Sequence, residues 1–148
     1  MTDSNSFSTT KLLLVDDDPL QLRIYKHVLL REYGVDLDIA SFTDPAEALA
    51  TIRQGCVDIL VTDFSMPGIS GLQLLRELKD LNRSAQVIMM TATSTSGLLL
   101  DALEMGADDY LLKPVDHASL VDIVRQAEKR LHRWRTALAG TLAATRGG

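Results

Sequence analysis

Three consecutive aspartates, Asp16, Asp17 and Asp18, stand directly after a short apolar run, and a fourth, Asp63, stands after another. Thr91 closes a further run of this kind, and Lys113, followed by Pro114, closes one more. Taken singly, each has an ordinary structural reading. Aspartate is common in turns and at helix N-caps, threonine is a good strand residue, and most lysines are solvated. Asp18, ahead of Pro19, reads as such a cap. Taken together they suggest chemistry. Carboxylates brought close repel, and one is driven toward protonation unless a cation intervenes. All-oxygen ligation with water positions left open suits Mg²⁺, which often binds beside phosphate. A lysine offers a compact charge to one phosphate oxygen, a threonine hydroxyl can donate to another, and a carboxylate can be a nucleophile. Such a set fits phosphoryl transfer, where catalysis is mainly positioning and charge neutralisation.

That chemistry requires the apolar runs to end on one edge of a sheet. Lys11–Val15, Leu37–Phe42, Ile59–Thr62, Val87–Met90 and Tyr110–Leu112 read as short buried strands. Helices are predicted between them. Asp18-Pro19 and Asp44-Pro45 are cap-plus-proline starts; the first helix carries a stripe of Leu20, Ile24 and Val28 and stops at Gly34, and the second carries Leu49 and Ile52 and stops at Gly55. Pro67-Gly68 marks a loop before Leu74, Leu75, Leu78 and Leu81, and Leu98, Ala102 and Met105 mark a fourth helix ended by Gly106. Leu120, Ile123, Val124, Ala127 and Leu131 mark the fifth. Strands alternating with helices imply an α/β fold, a parallel sheet between two helical layers. The five-stranded, flavodoxin-like (βα)5 version has strand order 2-1-3-4-5 and binds ligands outside the carboxyl ends of its strands. In that order Asp16, Asp17 and Asp63 end neighbouring strands.

A chain of 148 residues suits one hydrophobic core, and its net charge of −5 argues against direct binding of nucleic acid, which needs a basic face. The single Cys56 cannot form an internal disulfide. The N-terminus lacks a signal-peptide pattern and no apolar stretch is long enough to span a membrane, so the expected location is cytoplasmic, without membrane contact. His27, His117 and His132 show no metal-ligand spacing and read as surface residues. The expected organisation is a flexible leader over 1–10, a folded domain over 11–132 and a helical extension or tail over 133–148.

Four segments resemble the receiver domain of two-component response regulators: Leu13-Leu14-Val15-Asp16-Asp17-Asp18-Pro19, Thr62-Asp63-Phe64-Ser65-Met66-Pro67-Gly68 with Gly71, Met90-Thr91-Ala92, and Tyr110-Leu111-Leu112-Lys113-Pro114. The resemblance runs over about residues 10–132, with all motifs in order. It implies that Asp63 is the phosphoacceptor, served by a phosphohistidine of a sensor histidine kinase or phosphotransfer protein. It implies Mg²⁺ held by Asp17, Asp63 and the backbone carbonyl of Ser65, with Asp16 acting through water. Lys113 would pair with Asp63 or the phosphoryl group across a cis bond to Pro114. Thr91 and Tyr110 would switch together, and the fourth helix, fifth strand and fifth helix would present the result to a downstream output domain or protein. Tyr110 has an equally ordinary reading as a space-filling aromatic. Ser70 departs from the aspartate often found there, which touches only loop detail. The role implied is signalling with self-catalysed phosphorylation and slow autodephosphorylation, not metabolic turnover.

Two rivals are weaker. A haloacid-dehalogenase-like phosphatase also uses an Asp nucleophile with Mg²⁺, but wants a second Asp two residues on, where this chain has Ser65. A static docking module would usually lack one of the acidic residues. Finally, the stripe of the fifth helix continues through Trp134, Leu138 and Leu142 with near-heptad spacing, as in a coiled-coil seam. It predicts helix as far as Leu138 and a homodimer through the fifth helix or a linker. Gly140 and the closing Ala/Thr/Arg/Gly stretch favour a frayed tail beyond.

Overall fold

Cap-plus-proline starts and apolar β-rich runs recur along the chain, and the structure, a computed structural model, turns them into alternating strands and helices. It describes residues 9–33, 36–92 and 96–147, without the side chains of Ser96, Leu98 and 143–147. In chain order these are β1 (Thr10–Val15), α1 (Pro19–Tyr33), β2 (Leu37–Phe42), α2 (Pro45–Arg53), β3 (Ile59–Asp63), α3 (Gly71–Leu81), β4 (Gln86–Thr91), α4 (Ser96–Glu104), β5 (Asp109–Leu112) and α5 (His117–Gly147). All strand pairs are parallel and the order is β2-β1-β3-β4-β5, as expected for the flavodoxin-like sheet.

Alternate residues of the central strands enter two cores. Leu12, Leu14, Val61, Ile88 and Met90 pack with α1 and α5 on one face. Leu13, Val15, Leu60, Val87 and Met89 pack with α2 and α3 on the other. Burial on both faces is why β3 and β4 are continuous apolar runs without polar alternation.

The core-facing stripe of α1 is Leu22, Tyr25 and Leu29, not the expected Leu20, Ile24 and Val28. Val28 only borders the core and Leu20 is exposed. This helix carries apolar residues around much of its circumference, so periodicity fixed its existence but not its phase. Gly34, its expected stop, lies outside the described residues, as do Thr93 and most of the 1–10 leader. Leu81, the last residue of α3, is exposed rather than part of that helix's buried stripe of Leu74, Leu75 and Leu78. His27, His117 and His132 are exposed.

Helix α5 runs unbroken past Gly140 to Gly147. Ala137, Ala139, Ala143 and Ala144 around it are strong helix formers that offset the roughly 1 kcal/mol a helical glycine costs. Leu131 is its last core residue; Trp134, Leu138 and Leu142 continue the stripe into solvent. Two arginines tie this part of the helix to the amino ends of the strands. Arg130 Nε donates to Gln86 Oε1 at 2.6 Å, at the start of β4, and Arg135 pairs with Asp58, just ahead of β3. Asp58 also accepts from the backbone N–H of Lys11 at 2.8 Å.

Candidate functional site

Parallel pairing delivers the sequence-selected side chains to one edge. Val15 pairs with Thr62 and Asp63 with Met90, so Asp16 and Asp63 leave adjacent strands at nearly the same height. The Lys113 N–H donates to the Thr91 carbonyl at 2.8 Å, which carries the end of β5 alongside β4. The Lys113–Pro114 peptide is cis.

The lysine is the centre of the cluster. Its Nζ donates to Asp63 Oδ2 at 2.9 Å and to Asp16 Oδ2 at 3.0 Å. Asp16 is fully buried and its other oxygen accepts from the Asp18 N–H at 3.0 Å, while Asp18 in turn caps α1 by accepting from the Leu20 N–H at 3.0 Å. Asp17 is exposed beside them. Asp16, Asp17 and Asp63 each offer a carboxylate oxygen, and these lie within 4.8 Å of one another.

Charge is out of balance here, with three carboxylates around one ammonium. Burial pushes the Asp63 carboxyl above its ordinary range; the Lys113 hydrogen bond and charge pull it back, and Asp16 and Asp17 push it up again. For Lys113, burial alone would favour the neutral amine, but the hydrogen bonds to Asp63 and Asp16 outweigh it and raise its pKa. The lysine is therefore firmly cationic and still insufficient, so the cluster has room for further positive charge. A hard, all-oxygen donor set fits a divalent cation of the Mg²⁺ kind.

The remaining expected residues are placed as follows. Ser65 lies in the exposed loop after β3. Thr91 is buried at the end of β4, its hydroxyl donating to the Ala92 carbonyl at 3.2 Å. Tyr110 is exposed on β5, so it is not the core-filling aromatic that its ordinary reading supposed. Ser70 is the N-cap of α3 in a reciprocal capping box with Gln73, the two bonds being 2.9 and 3.3 Å.

One residue beside the cluster went unselected in the sequence, whereas Gly71 was selected only as part of the Asp63 segment. Tyr25 is buried beneath the cluster, and its hydroxyl is held protonated first by burial and then by the charge of Asp16. An aromatic with a polar tip on the α1 stripe was the available signal, lost with the helix phase. Gly71 opens α3 so close to the end of β3 that a Cβ there would stand 2.4 Å from the Asp63 carbonyl oxygen.

Comparison with known proteins bears on this geometry. The family model described as response regulator receiver domain matches residues 12–125. The transcriptional regulatory protein ZraR of Escherichia coli (strain K12) is 34% identical over 121 residues, covering 82% of this chain and 27% of that protein. The response regulator PleD of Caulobacter vibrioides (strain NA1000 / CB15N) is 34% identical over 119 residues, covering 79% of this chain and 26% of its own length. The chain thus spans about a quarter of the curated relatives it matches. The solved receiver domain of the Francisella response regulator 1452 superposes with a TM-score of 0.72 at 32% identity, covering 82% of this chain and 98% of that one. A CheY-like receiver domain protein from Methanospirillum hungatei JF-1 gives 0.76 at 27% identity, covering 85% and 99%.

Proposed function

Because the chain belongs to the response regulator receiver domain family, and is the receiver part of a two-component system, we propose that Asp63 is its phosphoacceptor. A carboxylate oxygen of Asp63 attacks the phosphorus of a phosphohistidine on a sensor histidine kinase or phosphotransfer protein. A P–O bond forms, the P–N bond breaks, and its electron pair stays on the leaving imidazole. Asp17, Asp63 and the Ser65 backbone carbonyl would hold Mg²⁺, with Asp16 acting through water, and the ion would supply charge neutralisation at the phosphoryl oxygens. Lys113 moves from its carboxylate partners to a phosphoryl oxygen, keeping its proton throughout.

The observation that carries this reading is the ammonium of Lys113 bridging Asp63 and Asp16 at 2.9 and 3.0 Å, with a third carboxylate alongside. A site already short of positive charge gains a reason to bind a cation, and a phosphoryl group then shares the same counter-charges. Thr91 donates to the phosphoryl group after leaving its local partners, and Tyr110 turns inward with it. The face of α4, β5 and α5 thereby reports the state of Asp63 to an output domain or protein. Among the described residues no helix is long and apolar enough to cross a membrane, and a cytoplasmic location fits a kinase-served receiver.

The test is incubation with acetyl phosphate and Mg²⁺, read by intact mass and by site mapping. One phosphoryl group on the wild type and none on Asp63→Asn is expected. Undiminished labelling of Asp63→Asn sinks the assignment.

A further inference from the structure

Alternation along the strands decides on which side of the sheet the charged cluster opens. Leu14, Val61 and Leu111 belong to the core under α1 and α5, and each stands two residues before a member of the cluster, Asp16, Asp63 and Lys113 respectively. Side chains two apart in a strand share a face. Strand pairing carries on to both outlying members: the Asp16 N–H donates to the Phe42 carbonyl at 3.3 Å, and the Lys113 N–H to the Thr91 carbonyl at 2.8 Å. The cluster therefore caps the α1–α5 core. Tyr25 is part of that core, 2% exposed, on the helix that begins at Pro19. A helical side chain leans toward the N-terminus of its helix. For α1 that direction is the strand edge bearing the aspartates, about 9 Å along the axis from Tyr25, so the phenol is aimed at the cluster from below.

The Tyr25 hydroxyl makes no hydrogen bond to another described residue, whereas that of Tyr33, lower on the same helix, donates to the Val121 carbonyl at 3.3 Å. Asp16, above it, is fully buried and has two donors, the Asp18 N–H on Oδ1 and Lys113 Nζ on Oδ2, each at 3.0 Å. Once Lys113 turns to a phosphoryl oxygen, Oδ2 loses its donor. A buried carboxylate oxygen stripped of its partner is costly. We propose that Tyr25 is a positioning residue for the phosphoryl-bearing state: as Lys113 leaves Asp16, the Tyr25 hydroxyl donates to Asp16 Oδ2 in its place. No proton changes hands, because burial first and the charge of Asp16 next keep the phenol protonated.

Filling the core does not require the hydroxyl. Leu22 and Leu29, the other buried residues of the α1 stripe, are aliphatic, and a phenylalanine ring would occupy the place of Tyr25 equally well. The exchange of donors lowers the cost of releasing Lys113 and holds Asp16 in place while the lysine is engaged elsewhere. It rests on the proposed function, since Lys113 moves only if Asp63 takes up the phosphoryl group.

Tyr25→Phe in the full chain keeps the ring and removes the donor. Calorimetric titration with beryllofluoride at saturating Mg²⁺ reports the phosphoryl-like state, while titration with Mg²⁺ alone and the metal-free Tm report the resting one. Tyr25→Phe is expected to bind beryllofluoride about tenfold more weakly than wild type, the scale of one lost hydrogen bond to a charged group. Its Mg²⁺ affinity and Tm should match wild type, because in the resting site the hydroxyl has no partner to lose. Tyr33→Phe, which removes a hydroxyl from the same helix away from the cluster, should leave beryllofluoride affinity unchanged. In wild type carrying tyrosine labelled with ¹³C at Cζ, the signal missing from Tyr25→Phe should shift when beryllofluoride and Mg²⁺ are added. Equal beryllofluoride affinity in Tyr25→Phe and wild type overturns the proposal, as does a Tyr25 signal that stays in place. An equal fall in Mg²⁺ affinity overturns it too, because the hydroxyl would then act on the resting site. A wild type that takes up neither beryllofluoride nor a phosphoryl group overturns the phosphoacceptor reading itself and this proposal with it, a result distinct from loss of the Tyr25 effect alone.

Discussion

Replacing Gly71 with alanine is expected to damage the protein although it places a better helix former in α3. The added Cβ would lie 2.4 Å from the Asp63 carbonyl oxygen, 3.1 Å from the Met89 methyl and 3.2 Å from Phe64 Cα. Met89 can give way. The other two atoms are backbone and cannot rotate aside, and the first contact falls about 0.6 Å inside the 3.0 Å that real Cβ atoms respect. Either α3 or the end of β3 must retreat. Overpacking of this kind costs about 1–3 kcal/mol, against a helix-propensity gain of about 1 kcal/mol at most. A net loss near 1–2 kcal/mol lowers Tm by about 2–8 °C. Function should suffer more than stability, because the displaced residue carries the proposed nucleophile. A shift near 1 Å can cost about 10²-fold in rate where catalysis is positional. The assays are thermal unfolding by circular dichroism and the rate of labelling by acetyl phosphate. Gly140→Ala is the control, since nothing lies within 4 Å of its Cβ, and it should leave both readouts unchanged or raise Tm. If Gly71→Ala melts at or above wild type and labels at the same rate, the packing argument is wrong.

Asp63→Asn is expected to be more stable than wild type at neutral pH in metal-free buffer. Asp63 has a raised carboxyl pKa, so its contribution to stability is fully present below the unfolded value and is lost as pH rises through the folded one. The neutral amide escapes that loss, and the gap between the two melting curves should close in acid; a wild type more stable at neutral pH contradicts the assigned direction. Asp17→Asn should weaken Mg²⁺ affinity by removing a charged ligand, seen as loss of the Mg²⁺-dependent rise in Tm, and an unchanged rise counts against its role. The phosphorylated state should last on the order of minutes to hours, because Ser65 and Thr93 are short hydroxyls poorly suited to orient an attacking water. Decay within seconds, without a phosphatase, would overturn that.

Strand ends and helix starts were legible in the sequence because aspartate, proline and glycine mark them through local backbone chemistry, as at Asp44-Pro45, where Asp44 caps α2 by accepting from the Ala46 N–H at 2.9 Å. Asp16, Asp63, Thr91 and Lys113 could be assigned to one edge as soon as a parallel sheet was inferred. What could not be read was the azimuth of α1, whose apolar residues fit more than one stripe. Nor could the sequence say that Lys113 would bridge two carboxylates, one of them 97 positions away, because that depends on strand order and register together. The approach of Gly71 to Asp63 is likewise a packing distance, and leaves only a glycine behind as a sign.

The bonds from Arg130 to Gln86 and from Arg135 to Asp58 give α5 a fixed angular setting relative to the sheet. From Leu131 to Gly147 the helix rises about 24 Å, and each residue turns it by about 100°. Any domain joined to it in unbroken helix inherits a heading set by those two arginines. Inserting one residue would swing that cargo about a quarter turn, whereas inserting seven would move it about 10 Å outward and nearly restore its bearing. Spacer length in a fusion built on this helix is therefore an angular dial, to be chosen by phase before reach.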